Sequence, residues 1–170
     1  MFENVPEEII VKALAMYSAK DTRYLKSAQI GKDTDTNTIS LIGNFSIEDC
    51  CYSAPNSGHF NAVEAIICFN QMFYVALLAG VDKKMFPFCA DVAIDNFDKY
   101  WQKVYIVEFE KIKFRKLINS ASFYGKMDLK LLRNIGDKVY GDCCFGFGND
   151  EACTGFTGNV KGLIPNFRER

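Results

Sequence analysis

From Ala62 to Gly80 the chain is almost continuously apolar, broken only by Glu64, Asn70 and Gln71. A bilayer-spanning helix needs about 20 mostly apolar residues and tolerates few ionisable or amide groups near its centre. Three such groups in one window predict a buried core element and no membrane span. The rest of the chain must then supply the shell that covers it. With 170 residues the chain is long enough for one core of that size and too short for two, so a single domain over residues 1–170 is expected.

The flanking segments change period. Ile9, Ile10, Ala13, Leu14, Met16 and Tyr17 recur at helical spacing between Pro6 and Ala19. Pro6 at the start and Glu7 and Glu8 in the first turn suit a helix N-terminus. Leu25–Ile30 and Thr38–Ile47 flank a polar turn from Gly31 to Asn37 and predict a hairpin. Ser53 to Gly58 is a loop of turn formers, and Asp91–Gln102 predicts a short helix through Phe97, Tyr100 and Trp101. Val104–Ile118 alternates and predicts a long strand exposed on one face. Strands around Ala121–Leu132, Lys138–Phe147 and Ala152–Gly162, punctuated by Gly136, Gly148 and Gly158, predict an antiparallel meander. Gly146-Phe147-Gly148 lacks the further glycine and the helix start of a phosphate loop and is read as a turn. This order suits an α+β domain in which an antiparallel sheet wraps around a central helix.

Composition removes several function classes. The formal net charge is −1, and no block of five like charges occurs, so nucleic acid is not an expected partner. The start, Met1 to Glu8, lacks a basic segment followed by an apolar run, so no signal peptide is expected and the protein is placed in the cytoplasm. Seven Cys, an odd number without a CxxC, are read as reduced thiols, and one His leaves little for a zinc site. The 15 Phe and 8 Tyr suit a dense core or a pocket for a long apolar ligand.

Between Tyr52 and Gln71 the sequence gathers its only His (His59), Asn61, Asn70, Gln71 and Glu64 beside its most apolar stretch. A buried polar group without a partner costs about 1–3 kcal/mol, so several together need a reason, which a binding site supplies. In an unbroken helix each residue turns about 100°, which would set Asn61 and Asn70 on opposite faces. The arrangement that gathers both has Ala62–Phe69 extended and the helix beginning near Asn70, with free N–H groups able to polarise a bound carbonyl. That arrangement is the expectation.

The segments Met16 to Leu25, Gly43 to Ile47, Gly58-His59-Phe60-Asn61-Ala62-Val63-Glu64 and Cys68-Phe69-Asn70-Gln71 resemble the corresponding motifs of the FcoT-like thioesterase family, over about Glu7 to Phe114. The resemblance implies a hotdog fold and oligomeric assembly, a homodimer or higher. It also implies action on a medium or long acyl chain held on coenzyme A or on the phosphopantetheine of an acyl carrier protein, without other cofactor or metal. Members are either fatty acyl-CoA thioesterases or enzymes that add glycine to a carrier-bound (2E)-enoyl chain on the way to isonitrile lipopeptides. Hydrolysis is the first expectation and glycine addition the alternative. Carried over by motif, Tyr17, Tyr52, Asn61 and Asn70 surround the thioester, and Tyr24, Lys26, Gln71 and Phe60 complete the substrate-binding set.

Each of these residues also has a plain structural role open to it. Asn70 is either a donor to the thioester carbonyl or a helix cap, and Asn61 either positions water or substrate or bridges a turn. Tyr17 and Tyr52 either donate hydroxyl hydrogen bonds or pack. His59 is either a base or a loop fastener. Glu64 is either the proton-transfer group, its pKa expected to rise if buried, or a partner for Lys26 or Arg23. For glycine as co-substrate, Arg23 or Lys26 could hold the carboxylate. Cys50, Cys51 and Cys68 flank the region and are read as packing residues.

Overall fold

The computed structural model describes residues 1–50, 58–86 and 103–165. In chain order these form β1 (Phe2–Asn4), α1 (Glu7–Ala13), a 3-10 turn (Ala15–Lys20), β2 (Leu25–Asp33), β3 (Thr38–Phe45), α2 (Ala62–Asp82), β4 (Tyr105–Phe114), β5 (Phe123–Ile135), β6 (Lys138–Gly148) and β7 (Phe156–Pro165). The strands make one sheet in the order β1-β2-β3-β5-β6-β7-β4, with antiparallel neighbours throughout. Its inner face wraps around α2. This is the hotdog architecture that the resemblance implies.

The apolar stretch from Ala62 to Gly80 lies in α2, a single unbroken helix of 21 residues. Asn61 caps it: its Oδ1 accepts from the N–H of Val63 at 2.9 Å and of Glu64 at 3.3 Å. Glu64 closes the reciprocal half, with Oε2 accepting the Asn61 N–H at 3.0 Å. This capping box satisfies the first turn's orphan N–H groups and so fixes the helix start at Ala62. The extended Ala62–Phe69 expected above is therefore corrected. Eight apolar-rich residues gain their full set of backbone hydrogen bonds as helix, and a strand there would have had no neighbour to pair with.

Packing depends on close approach. Gly125 lies where α2 crosses β5, and a Cβ there would meet Phe45 Cε2 at 2.7 Å, Phe147 Cε1 at 2.8 Å and Met72 Sδ at 3.0 Å. Gly146 clears space on the opposite face, where the loop before β7 folds back and brings the Cys153 carbonyl within 2.3 Å of the position a Cβ would take. Gly146 and Gly148 thus belong to strand β6 and do not form the turn expected from their spacing.

Two further expectations change in detail. The helix predicted to reach Ala19 stops at Ala13, and the chain tightens into the 3-10 turn before Asp21 reverses it at φ 50°. The long alternating strand is β4, but both its faces are largely exposed, with only Phe109 and Glu110 half-buried. It lies at the edge beyond β7, where α2 reaches it through Phe69, whose ring packs edge-on against Phe109 with centroids 6.1 Å apart. The antiparallel meander forms as expected from β5, β6 and β7, and β5 pairs on its other side with β3. The helix predicted over Asp91–Gln102 and the loop from Ser53 fall outside the described residues, apart from Gly58.

One buried side chain ties the N-terminal part of the chain to α2. The carboxamide of Gln71, fully buried, accepts through Oε1 from the backbone N–H of Tyr24 and of Leu25, both at 2.9 Å, and donates through Nε2 to the Thr22 carbonyl at 2.7 Å. Gln71 is thus a clip between α2 and the start of β2, in place of the substrate contact expected of it. Replacing Gln71 by Leu would leave three buried backbone groups unpartnered at about 1–3 kcal/mol each. Urea unfolding should show a loss of about 3 kcal/mol or more, with the Tm falling by roughly 10 °C; an unchanged unfolding midpoint would contradict the clip.

Candidate active site

Asn70 sits in the middle of α2, half-buried, and its side-chain amide makes no hydrogen bond to any described residue. It is not a cap, because Asn61 holds that position, and its own N–H lies inside the helical hydrogen-bond ladder. The carbonyl-polarising helix N-terminus imagined at Asn70 is therefore absent there. What remains is a free carboxamide presented on the helix face that points away from the sheet.

Around it the fold adds further polar groups. Tyr74, one turn further along α2, shares the Asn70 face and is half-buried. Tyr17 approaches from the 3-10 turn. Burial raises its phenol above the ordinary value of 10.0, with further pushes from Tyr74 and Cys68 beside it. Burial likewise raises the Tyr74 phenol. Cys68 is fully buried, and its thiol is pushed well up, first by burial and then by the charge of Glu64 one turn back. The polar groups thus form two sets on α2: Asn70 with Tyr74 on one face, and Glu64 with Cys68 about a third of a turn or more round the axis, with Tyr17 close to both Tyr74 and Cys68. Both phenols stay protonated at neutral pH, and Cys68 stays a thiol and not a thiolate.

Glu64 is the most unusual member. The residue is 1% exposed. Its Oε2 is held by the capping box, while its Oε1 is buried without a hydrogen-bond partner. It does not pair with Lys26 or Arg23 as one expectation had it. Lys26 is exposed and donates to the Arg23 carbonyl at 3.3 Å. Arg23 is half-buried, lies between the Thr22 and Tyr24 groups that Gln71 grips, and forms no ion pair among the described residues.

The remaining expected site residues divide as follows. Asn61 caps α2, and the eight helical residues between it and Asn70 set the two on opposite faces, so they do not share a pocket within one chain. His59 is exposed and forms a β-bridge with Asn119 beside the α2 N-terminus. Phe60 is a core residue, with ring centroids 4.8 Å from Phe123 and 5.0 Å from Phe147, and does not line an open site. Tyr24 is 2% exposed and belongs to the same core. Tyr52 lies outside the described residues, as does Cys51. Cys50 is half-buried, and Cys68, Cys143, Cys144 and Cys153 are free thiols. No group of three or more His, Cys, Asp or Glu that could hold a metal ion occurs among the described residues. Tyr74 does not stand out in the sequence because it reads as one more apolar residue in a core helix; its spacing of four from Asn70 is the signal that places it on the same face.

A family model for the FcoT-like thioesterase domain matches residues 12–155. The chain belongs to that family. Among curated relatives, a (2E)-enoyl-[ACP] glycyltransferase of Mycobacterium marinum is 30% identical over 131 residues, spanning 77% of this chain and 70% of the relative. A (2E)-enoyl-[ACP] glycyltransferase of Mycobacterium tuberculosis is 32% identical over 123 residues, spanning 72% of this chain and 66% of the relative. Among solved structures, a thioesterase from Pseudomonas aeruginosa superposes with a TM-score of 0.48 at 8% identity, covering 96% of each chain. In this FcoT-like chain the family motifs supply the cap (Asn61), the buried carboxylate (Glu64), the free amide (Asn70) and the clip (Gln71).

The raised phenol of Tyr17 has a pH consequence. It must stay protonated to remain buried, whereas in the unfolded chain it ionises near 10.0. Above that pH the unfolded state binds fewer protons than the native state, so stability falls as pH rises. Denaturation at pH 8 and pH 11 should show a smaller alkaline loss for Tyr17→Phe than for the parent protein. Equal losses would mean that the Tyr17 phenol is not held in its neutral form.

Proposed function

We propose that this FcoT-like protein acts on a (2E)-enoyl chain held as a thioester on an acyl carrier protein, and adds glycine across its double bond. The observation that carries this reading is the unpartnered Asn70 amide with the neutral phenol of Tyr74 on the same face of α2 and that of Tyr17 close to Tyr74. Such donors match the oxygen of a thioester carbonyl that gains negative charge as the reaction proceeds. The relatives at 30% and 32% identity, both named as (2E)-enoyl-[ACP] glycyltransferases, favour glycine addition over the hydrolysis first expected.

The glycine nitrogen attacks C3, and the new N–C bond forms as the double-bond electron pair moves through C2 onto the carbonyl oxygen. Asn70 donates to that oxygen, helped by Tyr17 and Tyr74. As the carbonyl re-forms, C2 takes a proton, and the nitrogen gives up one, so the product is the intact adduct with its thioester retained. Glu64 manages these protons through the buried Oε1 that has no other partner. Arg23, half-buried and without an ion pair among the described residues, holds the glycine carboxylate, with Lys26 more exposed beside it. Apart from the thioester arm that carries the substrate, no cofactor takes part.

Hydrolysis is the second reading, favoured by the family's own description as thioesterase. Water would then attack the carbonyl carbon, and the same donors would stabilise the tetrahedral oxyanion. The protein works in the cytoplasm, where thiols stay reduced, and as a homodimer or larger homo-oligomer. The support for assembly is the edge of β4, ten residues long and paired on one side only among the described strands. It carries Tyr105, Ile106 and Val107 exposed by 51%, 41% and 58%, in contrast to the three-residue β1 at the other edge.

Incubation with a dec-2-enoyl carrier thioester, with and without glycine, followed by mass spectrometry, separates the readings. A gain of one glycine with the thioester retained is expected. Free acid formed without glycine would replace this reading by hydrolysis. Asn70→Ala should lower kcat by roughly 100-fold. Arg23→Gln should raise the KM for glycine while leaving that for the enoyl thioester unchanged.

A further inference from the structure

The segment from Lys111 to Lys116 reads Lys-Ile-Lys-Phe-Arg-Lys and contains no acid, in a chain whose formal net charge is −1. All of its residues are exposed. The ion pairs of the neighbouring strands are drawn elsewhere: Lys161 takes both Glu108 and Glu110, and Lys126 pairs with Asp128. Lys113, Arg115 and Lys116 form no ion pair among the described residues. Asp150 and Glu151 lie on the loop that precedes β7, and neither bridges to them.

This run is fixed beside the start of α2. The backbone N–H groups of Arg115 and Lys116 both donate to the Gly155 carbonyl, at 2.8 and 3.2 Å. Two residues on, the Ile118 carbonyl accepts the Phe60 N–H at 3.2 Å, so Lys116 lies within about 8 Å, two Cα steps, of the chain that binds Phe60. From there the outward face of α2 passes Val63 and Ile66, exposed by 48% and 38%, before it reaches Asn70. Cations at the rim and an exposed apolar track leading inward form an approach for a charged body that feeds a slender arm into the site.

We propose that Lys113, Arg115 and Lys116 dock an acidic acyl carrier domain, whose phosphopantetheine arm then runs over Val63 and Ile66 to present its thioester at Asn70. This rests on the carrier-thioester reading above and names the surface that the carrier uses. Charges at an interface rim act chiefly on encounter rate and salt dependence. The docking cations therefore set the efficiency for carrier-bound substrate and leave the chemistry on the acyl chain unchanged.

The test compares Arg115→Glu/Lys116→Glu with Lys130→Glu/Arg133→Glu, an equal charge change further along the sheet. Each is assayed on dec-2-enoyl chains carried by an acyl carrier protein, by coenzyme A and by N-acetylcysteamine. The first variant should lose about tenfold or more in kcat/KM on the carrier substrate alone and lose most of its salt dependence there, while the second stays near parent values. An equal loss on all three thioesters, a loss confined to coenzyme A, or no loss on the carrier would overturn the proposal. If the parent protein turns over no thioester, the reading of its chemistry fails by itself. Docking is then decided by titration with the holo carrier protein, whose Kd should weaken about tenfold for the first variant only; an unchanged Kd would overturn it.

Discussion

The three hydrogen bonds of the Gln71 carboxamide hold the site region together. Without them the 3-10 turn and the first residues of β2 would meet α2 through side chains alone, and three buried backbone groups would have no partner. With them, Tyr17 is held near Tyr74 and Cys68, and Arg23 is left between two gripped residues with its own side chain uncommitted. A carboxamide suits this position because it both accepts and donates. Glutamate could accept but would set a carboxylate oxygen against the Thr22 carbonyl, and a leucine could do neither.

The apolar helix tolerates its polar residues by giving each a distinct solution. Asn61 and Glu64 satisfy the helix start and each other. Gln71 is consumed by the clip. Glu64 keeps one oxygen without a partner, and the Asn70 amide makes no hydrogen bond to any described residue, with Tyr74, a phenol that burial keeps neutral, one turn further along the helix. Preorganised donors of this kind act on charge that develops at a carbonyl oxygen, and they do so whether the attacking group is an amine at C3 or water at the carbonyl carbon. The family's two chemistries can therefore share one electrostatic device. On the proposed reading the nucleophile is chosen by what binds beside the donors, and the guanidinium of Arg23, without an ion pair among the described residues, is the group assigned to a glycine carboxylate.

Local signals were legible in the sequence where the physics is local. The turn residues from Gly31 to Asn37 announced the hairpin, Pro6 with Glu7 and Glu8 announced α1, and the unbroken apolar run announced the central element. The error about Ala62–Phe69 came from asking Asn61 and Asn70 to share one pocket, which set a functional wish above the capping signature Asn-x-x-Glu that stands at Asn61 and Glu64. The place of β4 beyond β7 could not be read, because strand order depends on pairing across the whole chain and β4 alternates equally well at a centre or an edge. The clip at Gln71 was hidden for the same reason, since its partners lie more than forty residues away. The cations from Lys111 to Lys116 escaped notice because apolar residues interrupt them, and only the fold shows that they stand by the helix start.

The most direct measurement is a crystal structure of the protein with an unreactive thioether analogue of a dec-2-enoyl carrier arm, in the presence of glycine. The account predicts the acyl carbonyl oxygen within about 3 Å of the Asn70 amide nitrogen, with C3 of the chain turned towards a glycine held by Arg23. A carbonyl lodged elsewhere, with the Asn70 amide still facing solvent, would contradict it.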